Sequence, residues 1–332
     1  MREVTMTATG DAGTGSTLPE LIDAHLYMPF PFARSPYERQ VAEGVGQWLR
    51  ETGLAAEPGV TEMIARTRPA ELASFNSPDM DRDVLHIVAR QIAYQFVFDD
   101  LAEEVGRREP GRLLPLLHES IAVLRDDASP GTALGAALAD LLRQVRERCT
   151  PAQADRWTWK SREYVHGLLH EAVAQAHTPP AGAALCTSIR ALTAGVEPFH
   201  PLCEAAQPEE LTGAELHHPV MRRLTRLSAD AAVWIPDLYS AVKEQQAGEL
   251  INLALAHQRA HRCSLPVATM LAIRQINAAV REFEEMFAGI RPRLSPSAIG
   301  YVEGMAGWIR GCYHWSRTVP RYADTASASA LA

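Results

Sequence analysis

Apolar residues return every third or fourth position through residues 83–104, 131–149, 152–177, 219–249 and 265–286, the period of a helix with one buried face. Each stretch predicts an amphipathic helix, and candidate strands are lacking. Helix-breaking clusters fall between the stretches: Glu57-Pro58-Gly59, Glu109-Pro110-Gly111, Ser129-Pro130-Gly131, Thr178-Pro179-Pro180 and residues 292–296. No internal repeat, low-complexity block or long linker divides the chain. The pattern predicts one all-α domain over residues 18–322. Residues 1–17, rich in Gly, Thr and Ser, and the Ala/Ser-rich tail 323–332 are expected to fray.

Composition narrows the function classes. The 332 residues are enough for a substantial core, and 47% hydrophobic with 22% charged residues is ordinary for a globular protein. The apolar runs break well short of the ~20 residues that a membrane-spanning helix needs. A net charge of −8 with scattered Arg and Lys argues against a nucleic-acid surface, which needs a concentrated basic stripe. Cys149, Cys186, Cys203, Cys263 and Cys312 are odd in number and lack CxxC spacing, so the reading is a reduced, cytoplasmic setting. The first residues contain no apolar export segment. Among the twelve histidines, His217-His218, His257 and His261 show no HExxH or other ligand spacing.

Two acidic patches carry the candidate chemistry. Phe98-Asp99-Asp100-Leu101-Ala102-Glu103-Glu104 closes one predicted helix, and Asp237-Leu238-Tyr239-Ser240-Ala241-Val242-Lys243-Glu244 lies within another. Asp99 and Glu103 are i and i+4, as are Ser240 and Glu244, so each pair leaves one helix face. Such a pair is also the ordinary signature of a solvated face. Here Ile92, Tyr94, Phe96, Val97 and Phe98 precede the first patch and predict a buried helix. Acids at its C-terminal end oppose the helix dipole, at up to about 1 kcal/mol per charge, unless a cation compensates. Facing each other, the two patches would suit Mg²⁺, which combines one or two carboxylates with waters and phosphate oxygens.

These motifs resemble those of the bacterial class I terpene synthases, and the likeness runs nearly end to end. Leu26-Tyr27-Met28-Pro29-Phe30-Pro31-Phe32 and Trp48 look like that family's N-terminal strand-like segment and first helix. The cluster from Asp99 resembles its aspartate-rich motif, and residues 237–244 most of its NDxxSxxxE motif. Gly248 and Asn252 sit where the family continues that helix, and Trp308, Trp315 and Arg321-Tyr322 resemble its terminal signature. Arg190, 46 positions ahead of Pro236, matches the family's diphosphate-sensing Arg, and Ala194-Gly195 permits a helix break beside it. A guanidinium suits this task because its rigid fork reads phosphate oxygens bidentately.

The resemblance implies a helical bundle around a central apolar cavity. Three Mg²⁺ ions would be held by Asp99, Glu103, Ser240 and Glu244, and the diphosphate by Arg190, Lys243, Arg321 and Tyr322. Asp100 is expected to pair with an Arg. The implied reaction is Mg-dependent ionisation of a prenyl diphosphate, farnesyl diphosphate by family base rate, followed by cyclisation of the allylic cation. The cavity must then exclude water and stabilise positive charge through aromatic faces, at roughly 0.5–2 kcal/mol each. Phe96, one turn ahead of Asp99, and Trp315 are expected to do so. Phe75 and Trp308 are further candidates, for which core packing is the favoured reading. The substrate is the one partner implied, for a monomer or homodimer.

One position departs from the family pattern. Pro236 stands where Asn or Asp should supply a metal ligand, and it also lacks the N–H that would bond to Ala232, a loss of about 3 kcal/mol or more in a straight helix. Three possibilities stay open: water or Asp237 substitutes, metal binding is weakened, or the chain is a silent prenyl-diphosphate-binding homologue. A monoterpene or diterpene synthase is a further alternative. A head-to-tail prenyltransferase would carry two DDxxD-type motifs, and a class II cyclase a DxDD acid that Asp79-Met80-Asp81-Arg82-Asp83 does not match. A helical scaffold would need none of the basic set.

Overall fold

The computed structural model describes residues 17–108, 110–176, 182–193 and 195–322. Among them no strand occurs. Fifteen helices follow in order: α1 Leu18–His25, α2 Glu38–Glu51, α3 Val60–Thr67, α4 Pro69–Asn76, α5 Arg82–Arg108, α6 Pro110–Leu124, α7 Ala133–Arg148, α8 Pro151–Ala176, α9 Ala183–Thr193, α10 His200–Ala205, α11 Gly213–Leu216, α12 Pro219–Ala247, α13 Leu253–His261, α14 Leu265–Ile290 and α15 Pro296–Thr318. The five periodic stretches correspond to α5, α7, α8, α12 and α14. The ends expected to fray lie outside the described residues except for Thr17, which caps α1 through a reciprocal bond with Glu20.

Local chemistry sets the helix starts. The hydroxyls of Thr132 and Ser295 accept the N–H of Gly135 and Ala298, and the Asn252 side-chain oxygen accepts that of Leu255. Gly59 (φ +77°) lets the chain turn into α3 at the cluster Glu57-Pro58-Gly59.

α12 is the centre of the molecule. It packs against α9, α13, α14 and α15 and is buried on every face from Leu227 to Ile235. α15 lies against α4 because Gly307 and Gly311 present no side chain there. A Cβ at Gly311 would overlap the Asn76 side-chain oxygen, and one at Gly307 the Asn76 carbonyl. The segment likened to a strand is extended chain instead, held by side chains. Tyr27 N–H donates to Asn277 Oδ1 (2.7 Å), Asn277 Nδ2 donates to His25 O (2.9 Å), and the Arg281 guanidinium covers the Tyr27 ring at 3.9 Å. Trp48 is buried on α2 and donates to Asp140.

Among the described residues no single helix is long and apolar enough to cross a membrane. All five cysteines are free thiols.

Candidate active site

Three helices carry residues from apolar to polar, in chain direction, along the wall of one pocket. α5 contributes Ile92, Phe96, Asp99 and Glu103; α12 contributes Val233, Pro236, Ser240 and Glu244; α15 and the turn after it contribute Trp308, Cys312, Trp315, Arg321 and Tyr322. The pocket therefore has an apolar end and a polar end. Both acidic patches open onto it, together with Arg190 and Lys243.

The polar end is held by internal pairs. Arg321 forks onto Asp100, with Nη2 donating to Oδ1 at 2.8 Å and Nη1 to Oδ2 at 3.4 Å, the pairing expected for Asp100. Arg190 Nη2 donates to Asp237 Oδ1 at 2.7 Å, and Asp237 Oδ2 accepts the Leu253 N–H at 2.8 Å. Asn252 Nδ2 reaches Asp237 O (2.8 Å), Glu244 Oε2 (2.8 Å) and, more weakly, Ser240 Oγ (3.4 Å).

Negative charge is in surplus here. Burial, then the neighbouring Asp100, pushes Asp99 up to about 6. Burial likewise pushes Glu171 of α8 up to about 7, against the downward pull of Arg190. Burial drives Asp237 upward too, opposed by Arg190, which stays cationic between the carboxylates. A cation added among these groups would relieve the surplus. Every candidate ligand offers oxygen, the donor that hard divalent cations prefer. The donor set fits such an ion, although among the described residues no three His, Cys, Asp or Glu side chains already stand close enough together to hold one.

The aromatic wall consists of two stacked pairs. Phe96 lies on Trp315 with centroids 5.5 Å apart and planes 17° apart, while Arg321 stands over the Phe96 ring and Tyr322 meets Trp315 edge-on. Phe199 stacks on Trp308 at 4.2 Å. Both pairs line the pocket, and Tyr164 adds a third face.

The sequence from residue 91 to residue 282, more than half of the chain, matches the family described as terpene synthase family 2, C-terminal metal binding. The chain belongs to the terpene synthase family. Over 313 residues, 94% of this chain and 93% of the relative, it is 69% identical to a (−)-α-amorphene synthase, (2E,6E)-farnesyl diphosphate cyclizing, from Streptomyces viridochromogenes. It is 29% identical to a (+)-T-muurolol synthase of Roseiflexus castenholzii, over 91% of this chain and 94% of that one. Among solved structures, a singly substituted cucumene synthase superposes with a TM-score of 0.78 at 25% identity, covering 89% of this chain and 99% of its own. Germacradien-4-ol synthase from Streptomyces citricolor shares the fold, with a TM-score of 0.77 at 24% identity over 89% and 98% of the two chains.

The structure bears on several expectations for this terpene synthase. Phe75 belongs to the core, the reading favoured for it, and not to the pocket; it packs against Phe32 at 5.3 Å, under the Arg34 guanidinium. Gly248 and Asn252 do not continue α12. Gly248, in the left-handed region (φ +77°), ends that helix, and Asn252 starts α13. Pro236 does not end α12, which runs on to Ala247 with the ring against the pocket. The suggested stand-in, Asp237, has both carboxylate oxygens engaged, by Arg190 and by Leu253 N–H.

The break beside Arg190 is present. α9 ends at Thr193, and Gly195 has φ +61° with its carbonyl accepting Gln95 Nε2–H at 2.9 Å; Ala194 lies outside the described residues. Sequence reasoning missed Phe199, Tyr164, Glu171 and the bridging role of Asn252. The one available signal was Glu171, an acid within an amphipathic stretch.

Proposed function

We propose that this terpene synthase ionises farnesyl diphosphate with Mg²⁺ and cyclises the allylic cation to a sesquiterpene, releasing diphosphate as a carbon–oxygen lyase. The observation that carries this reading is the single pocket where two oxygen-bearing helix faces meet above stacked aromatic pairs. The farnesyl chain length is taken from the 69% identical relative, whose name specifies that substrate.

Bound Mg²⁺, three ions by family resemblance, would supply the charge that turns diphosphate into a leaving group. Asp99 and Glu103 on α5, with Ser240 and Glu244 on α12, offer the oxygens for it. Arg190, Lys243, Arg321 and Tyr322 donate hydrogen bonds to the diphosphate as its negative charge grows on departure. The hydrocarbon chain lies against Phe96, Trp315, Phe199 and Trp308. These faces exclude water and stabilise the cation through their ring quadrupoles without offering a nucleophile.

The test is to incubate the purified protein with geranyl, farnesyl and geranylgeranyl diphosphate in Mg²⁺ and analyse volatile products by gas chromatography with mass spectrometry. Farnesyl diphosphate should give a cyclic sesquiterpene, with α-amorphene as the first standard to compare. No product from any of the three would refute the reading.

A further inference from the structure

One corner of the pocket holds a carboxylate, Glu171, and a guanidinium nitrogen, Arg190 Nε, to which the proposed chemistry gives no partner. Glu171 of α8 lines it, as does Arg190 of α9, and the two helices pack side by side. Glu171 Oε2 is shut off from solvent and has no partner in hydrogen-bond geometry, although the Thr193 hydroxyl, also unpartnered, lies near enough to favour its charged form. Arg190 Nε is equally shut off and donates to nothing, since only Nη2 of that side chain is engaged, by Asp237. An orphan acceptor and an orphan donor therefore occupy the same corner. Each is unfavourable where water cannot reach it, and each is the chemical complement of the other. Their charges already act on one another. After Asp237, Glu171 exerts the strongest electrostatic pull on Arg190, and Arg190 is the principal charge opposing the effect of burial on Glu171.

Geometry gives the pairing a purpose. A guanidinium is planar, so fixing its Nε–H fixes the plane and direction of both Nη groups. In the present arrangement Asp237 on α12 holds Nη2, the part of the fork best suited to an anion. A partner on the other side that took only Nε would leave the fork open.

We propose that Glu171 is a positioning residue for Arg190. When diphosphate enters, Glu171 Oε2 accepts the Arg190 Nε–H, Arg190 leaves Asp237, and both Nη groups turn to the anion. Asp237 retains the Leu253 N–H as partner. The proposal rests on the diphosphate site assigned above.

The experiment is calorimetric titration of the full chain with inorganic pyrophosphate in Mg²⁺, for wild type, Glu171→Leu, Glu171→Gln, Arg190→Gln and the Glu171→Leu/Arg190→Gln double variant. Glu171→Leu should weaken pyrophosphate about tenfold, the size of one charge-assisted hydrogen bond. Glu171→Gln, which keeps an acceptor oxygen, should recover part of the loss and remains informative if the Leu variant does not fold. In the Arg190→Gln background the change at 171 should have no further effect, because its partner is gone. Equal losses in both backgrounds, or wild-type affinity in both Glu171 variants, would overturn the positioning role while leaving the diphosphate site standing. Failure of the wild type to bind pyrophosphate would overturn both.

Discussion

Arg190 was legible from the family resemblance and its spacing, whereas its partner Asp237 was not. The fork that should read diphosphate is found on Asp237, a buried carboxylate far from it in sequence. Arg190→Lys should therefore lower kcat/KM by about tenfold or more, since an ammonium cannot reproduce a planar fork; steady-state kinetics check this, and near-normal values would place Arg190 outside the anion site. Asp99→Asn should reduce turnover by at least about a hundredfold while Tm holds or rises, because it removes a proposed ligand and a carboxylate whose burial is unfavourable. A Tm loss with normal turnover would reverse that assignment. Spacing placed Asp99, Glu103, Ser240 and Glu244 on two helix faces. It could not bring Phe199 or Glu171 to the same pocket, since those contacts depend on how α8, α10 and α15 pack.

At the scale of elements, helical periodicity located α5, α7, α8, α12 and α14 but did not mark out α15, although that helix has 23 residues. The short ones, α3, α4 and α10, span too few turns for a period to declare itself. The α12–α13 junction was misread because it was taken from the family likeness, whereas Gly248 and Asn252 are by their own chemistry favoured helix caps. Asn252 is the cap, and the same side chain bridges Asp237, Ser240 and Glu244. Asn252→Ala should cost about 1 kcal/mol for the lost cap and raise the Mg²⁺ concentration needed for turnover; urea unfolding and a metal titration measure the two effects separately. The α4–α15 crossing depends on missing side chains. Gly311→Ala should destabilise the protein by about 1–3 kcal/mol through overpacking against Asn76, readable as a lower urea midpoint at unchanged slope.

For the whole molecule, fold class and pocket chemistry were readable because the motifs are local and ordered along the chain. The internal pairs that offset part of the pocket's negative charge were not, since they join residues far apart in sequence. They leave a pH signature. The Glu171 carboxyl is raised from 4.5 to about 7 and that of Asp99 from 3.8 to about 6, in each case chiefly by burial. Through those windows the folded protein keeps protons that the unfolded chain has already released, so stability falls as pH rises through them. The metal-free protein should thus melt at a lower temperature at about pH 8 than at about pH 5.5, and Mg²⁺ with pyrophosphate should narrow the gap by binding only the folded state. Scanning calorimetry at fixed ionic strength tests this; a Tm that climbs steadily over that range would contradict the charge surplus.

The central claim is that α5 and α12 jointly hold one metal–diphosphate cluster. Electron paramagnetic resonance of Mn²⁺, titrated with inorganic pyrophosphate, tests it most directly when wild type is compared with Asp99→Asn and with Glu244→Gln. If the claim holds, pyrophosphate-dependent Mn²⁺ binding falls sharply in both variants, although the altered residues lie on different helices. Full binding retained when either face is altered would contradict it.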